Sequence, residues 1–97
     1  MQVLHGPVLI EKENIANLDF PKSDVLENPK EKKERLRDLK NANELGDLAQ
    51  YKVKILFKDS HGMKKVETTV WNATADNVVL KYGITIPVRR VSKVVFP

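Results

Sequence analysis

The feature that most constrains this chain is a change of apolar period near its midpoint. In residues 29–46, PKEKKERLRDLKNANELG, strong helix formers dominate, and Leu36, Leu39 and Ala42 fall on one side of a helix with 3.6 residues per turn. From Tyr51 the period is two: in YKVKILFK, Val53, Ile55 and Phe57 face one way and Lys52, Lys54 and Lys58 the other. A helix with so narrow an apolar stripe cannot bury itself, and half-apolar strands need a cover. The chain is therefore expected to lay one helix on a sheet.

Asn28-Pro29 reads as the helix start, since Asn caps the first turn and Pro suits the first helical position. Gly46 is expected to end the helix in a left-handed conformation, and Glu31 to pair with Arg35 one turn on. DSHG at 59–62 is a turn in which Gly62 can take positive φ. The runs KKVETTVWNAT, VVLKY, ITIPV and KVVF follow as strands, the last two joined by a bend at 89–92. Val66, Thr68 and Val70 share one face, with Glu67, Thr69 and Trp71 on the other. Pro87 cannot donate to a ladder, which places its run at an edge or a bulge. The fold class expected is mostly β with one N-terminal helix: a small five-stranded antiparallel barrel, closed so that no long edges remain. Residues 1–28 show neither period and read as an irregular acidic arm, ordered where residues 8–10, or Leu18 and Phe20, find apolar surface. Residues 29–97 then form the domain.

Composition excludes several classes. Hydrophobic residues at 41% and charged residues at 31% fit a globular domain rather than a disordered or membrane chain. No cysteine is present, so neither disulfides nor thiolate metal sites are available. No run approaches the roughly 18 apolar residues of a membrane span, and the start lacks a basic signal region; a cytoplasmic protein is expected. The only histidines are His5 and His61. Asp59, Ser60 and His61 are neighbours in a turn, where no nucleophile–base–orienter relay can form. Phosphate-loop, dinucleotide and zinc-protease motifs are lacking. The expectation is a non-enzyme with no cofactor and no metal.

Charge is unevenly spread. Residues 1–28 carry a net −3, whereas residues 51–97 set nine basic residues against Asp59, Glu67 and Asp76, a net +6. A polyanion would be drawn to the second half. Arg89 and Arg90 have no acid near them in sequence, and a bend there is expected to project both into solvent. Arginine's planar fork suits phosphate and carboxylate alike. Trp71 lies opposite the core face, as an exposed platform or as a lid against Leu36 and Leu39. With Lys52, Lys54, Lys81 and Tyr82 these residues make a candidate site, because small barrels hold single strands by pairing a cationic groove with stacking rings. Two partners fit: RNA or single-stranded nucleic acid, or an acidic protein for which Trp71 and the arginines serve as anchors.

The order of helix then five strands, with VKILFKDSHG opening the sheet, NVVLK within it and IPVRRVSKVVFP closing it, resembles the Sm-like family of SH3-like small barrels over residues 29–97. In element order it is most similar to the bacterial host-factor RNA chaperones; VETTVWNATADNVVLKYGITIPVRRV also looks like sequences in small uncharacterised bacterial proteins. The resemblance implies RNA binding at basic and aromatic positions and a homo-oligomeric ring built by the last two strands. The family's second-strand glycine falls at Thr69 here. Its Lys-His pair falls at Val88 and Arg89, so only a cation carries over.

Overall fold

Helix α1 spans Pro29–Ala49 in the computed structural model, which describes residues 6–97. His5 lies outside the described residues. Asn28 caps the helix as its sequence implies, its side-chain oxygen accepting the Lys30 N–H at 2.8 Å, with Pro29 in the first turn. The helix does not stop at Gly46. It runs to Ala49, and the left-handed residue is Gln50 at φ 54°, whose N–H returns to the Gly46 carbonyl. Gly46 serves a different need: a Cβ there would collide with the backbone carbonyl oxygen of Val70, so glycine lets the helix touch a strand. The buried face is Arg35, Leu39, Ala42 and Gly46, while Leu36 is only half-buried. Arg35 therefore turns inward, to Asp24 rather than Glu31.

The described residues hold seven strands: β1 (Val8–Leu9), β2 (Val53–Asp59), β3 (Gly62–Thr68), β4 (Val70–Ala73), β5 (Asn77–Leu80), β6 (Thr85–Pro87) and β7 (Val91–Val95). They form two sheets, ordered β1-β3-β2-β7 and β4-β5-β6. This corrects the expectation of a closed five-stranded barrel: the protein is a small mixed α/β domain whose two sheets share no ladder among the described residues. The reason lies at Thr69. Thr68, Thr69 and Val70 are all buried, so alternation is interrupted at Thr69 and the run that reads as one strand divides there. β3 stays with β2, and β4 leaves to pair with β5. Pro87 does lie on an edge strand, β6, which pairs only with β5.

The arm supplies more than its pattern announces. β1 runs parallel to β3, with Val8 opposite Lys64, and shields that edge through its backbone while its side chains stay exposed. A 3-10 turn at Lys12–Asn17 then sends Ile15 into the core, where only 1% of it remains exposed. Leu18 and Phe20 pack on that core, the Phe20 ring 6.0 Å from that of Phe57. Val53, Ile55 and Phe57 alternate inward as their spacing requires.

The β2–β3 turn is held by Asp59, whose Oδ1 accepts from the N–H groups of His61 and Gly62 and from Lys64 Nζ. Burial pushes this carboxyl up, but Lys64 and the two N–H groups outweigh it and keep it below its ordinary value. Among the described residues no helix is long and apolar enough to cross a membrane.

Candidate functional site

Arg89 and Arg90 occupy the 3-10 turn Val88–Arg90 between β6 and β7. Instead of projecting into solvent, they reach back to the arm. Arg89 Nε donates to the Pro21 carbonyl at 3.0 Å. Arg90 Nε donates to the Lys58 carbonyl at 2.9 Å and its Nη1 to that of Ser23 at 2.8 Å, leaving Arg90 only 5% exposed. The Val25 N–H returns a bond to the Arg89 carbonyl at 2.9 Å. Arg35 completes the set with a two-point pair to Asp24, at 2.8 and 2.9 Å, and a bond to the Val91 carbonyl at 3.0 Å. Three arginines thus strap residues 21–25 to the domain. An arm without ladder partners leaves carbonyls in need of donors, and guanidinium forks supply them in fixed geometry. The hydrogen bond from Arg35 holds the Asp24 carboxyl down to about 2, against the upward push of burial.

The aromatic candidates lie elsewhere, and they do come together. Trp71 on β4 is 49% exposed and Tyr82, in the 3-10 turn Lys81–Gly83, 69% exposed. Their ring centroids are 6.0 Å apart at 65°, an edge-to-face pair. The ammonium groups of Lys81 and Lys12 each lie 5.4 Å from the Tyr82 centroid, in cation–π contact. Tyr82 holds φ 69° and ψ 16°, left-handed backbone that costs a non-glycine residue about 1 kcal/mol or more. The turn is pinned by the Leu80 N–H to the Ile84 carbonyl at 2.7 Å and the Lys81 N–H to that of Thr69 at 3.1 Å.

Trp71 is not a lid over Leu36 and Leu39. Its carbonyl accepts from Asn43 Nδ2 at 3.0 Å, and its side chain borders a groove of about 500 Å³ with Gly46, Asp47, Gln50, Thr69 and Lys81. The helix therefore meets this site with its C-terminal end.

Lys54 on the outer face of β2 and Lys52 just before the strand are both exposed. Lys52 shares one groove, of about 200 Å³, with Lys12 and Glu67, and a second, of about 110 Å³, with Lys54 and Phe96. Lys12 thereby links the aromatic pair to Lys52 and, through it, to Lys54. No local pattern marks it, because it comes from the acidic arm and lies next to Tyr82 only through the fold. The stripe is not uniformly basic: Glu67 lines both smaller grooves, and Glu13 lies 3.6 Å from Lys12. Among the described residues no group of three or more His, Asp or Glu is placed to hold a metal ion. Comparisons with protein-family models, curated proteins and solved structures find no match to the chain.

Proposed function

We propose that this protein is a non-catalytic binder of RNA or single-stranded nucleic acid, and that it binds through Trp71, Tyr82, Lys12 and Lys81, with Lys52 and Lys54 extending the track. The observation that carries this reading is the exposed Trp71–Tyr82 pair with two ammonium groups gathered at the tyrosine ring. A base stacks on the open face of Trp71, and its flanking phosphates meet the lysines. The strained backbone of Tyr82 supports it, because a ring so exposed returns little packing for its conformational cost. The finer fold reading goes with it: taken as one strand bent at Thr69, β3 and β4 join β2, β5, β6 and β7 into an opened-out SH3-like barrel.

Fluorescence anisotropy with labelled U10 and A10 strands tests the proposal. Binding is expected at low salt, weakening roughly fourfold for each doubling of salt if about three phosphates are neutralised. Trp71→Ala should weaken it by about 1–3 kcal/mol, roughly 5- to 150-fold. No binding at low salt, or an affinity indifferent to salt, overturns the reading. The alternative, an acidic protein partner, loses its arginine anchors to the strap. Displacement of the strand by polyglutamate at lower concentration than by unlabelled RNA would favour it.

A further inference from the structure

We propose that the groove beside Trp71 selects guanine among the four bases, an inference that rests on the nucleic-acid reading. Its polar lining is Asp47, Gln50, Thr69 and Lys81. Asp47 decides the matter. It is exposed, and among the described residues it enters no ion pair. A free carboxylate next to a stacking ring repels phosphate, and it offers a base only acceptor atoms. It stands in the last turn of α1, where the negative end of the helix dipole adds to that character.

The base edges differ in what they present. Guanine carries two adjacent donors, N1–H and the N2 amino group, which match the two oxygens of a carboxylate. Adenine and cytosine each set one amino group beside an acceptor nitrogen, and uracil sets one N–H between two carbonyls. Those acceptors face Asp47 with like sign. Lys81, on the same groove and already beside Tyr82, is placed for the guanine O6 or the adjoining phosphate. A base held on Trp71 with its pairing edge toward Asp47 is thus favoured only when it is guanine.

Trp71 is the chain's single tryptophan, so its fluorescence reports this site alone. The test titrates the full chain with a nine-nucleotide uridine strand and with the same strand carrying one central G, A or C. A central G should tighten binding about tenfold over A or C. Asp47→Asn should erase that advantage by tightening the uridine, A and C strands while weakening or sparing the G strand, and Asp47→Glu should retain it. Thermal melts of both variants establish that they fold. Equal binding of all four strands, with Asp47→Asn tightening every one alike, overturns the selectivity and leaves the nucleic-acid reading standing. If no strand is bound, both fall.

Discussion

Arg35 is a charged residue on the inward face of a helix, and Asp24, its partner, lies eleven positions earlier in the chain. Removing one member of such a pair leaves the other buried without compensation, so Asp24→Asn should cost about 3 kcal/mol, the low end for buried pairs because Asp24 keeps some exposure. For a domain of this size that lowers Tm by more than about 10 °C, read from a thermal melt. The pH dependence follows from the depressed carboxyl, which falls from 3.8 to about 2 on folding. Its stabilisation is complete above pH 4 and drains away as pH falls through 2. The gap in stability between the native chain and Asp24→Asn should therefore close over that window. Tyr82 sets the opposite case. Tyr82→Gly relieves the left-handed strain, so stability should hold within about 0.5 kcal/mol while nucleic-acid affinity drops. A large loss of stability would show that the ring is there for packing.

At the level of elements, the contact between α1 and β4 is set by the absent side chain of Gly46. In an exposed helix, Gly→Ala is worth about 1 kcal/mol of added stability. Here the methyl meets a backbone carbonyl that cannot rotate away, and overpacking costs about 1–3 kcal/mol. Gly46→Ala should therefore destabilise, shifting the urea midpoint downward. The same position shows what a sequence conveys about an element and what it does not. Asn28-Pro29 marks the helix start because a cap is a local arrangement. Gly46 reads as a stop because nothing local announces Val70. Likewise β2 declares itself by strict alternation, whereas the division at Thr69 depends on two sheets parting, and Ile15 belongs to no period at all.

For the molecule as a whole, the candidate site was half legible. Exposure of Trp71 follows from alternation, and Lys81 and Tyr82 are its near neighbours in the chain, but Lys12 and Asp47 arrive from other elements. Arg89 and Arg90 look free in sequence only because their acceptors lie 68 and 67 positions away. Edge geometry bears on assembly too. β7 pairs with β2 on one side and yields its Val91 carbonyl to Arg35 on the other, and the edge strand β6 carries Pro87. Sedimentation should accordingly give the 11.1 kDa monomer; a mass several times larger would show strands pairing between copies.

The strap also has a consequence for timing. Residues 21–24 are synthesised well before two of the three arginines that fasten them, which follow 67 and 68 positions behind their acceptors. Until then only the Asp24–Arg35 pair is available to hold the segment, and β2 still waits for β7. Contacts so distant in sequence form late, so loosening the strap should hasten unfolding while leaving the folding rate nearly unchanged, as stopped-flow mixing of Arg89→Ala would reveal. A chain whose translation halts before residue 89 keeps the Asp24–Arg35 pair but lacks the clamps on Pro21 and Ser23.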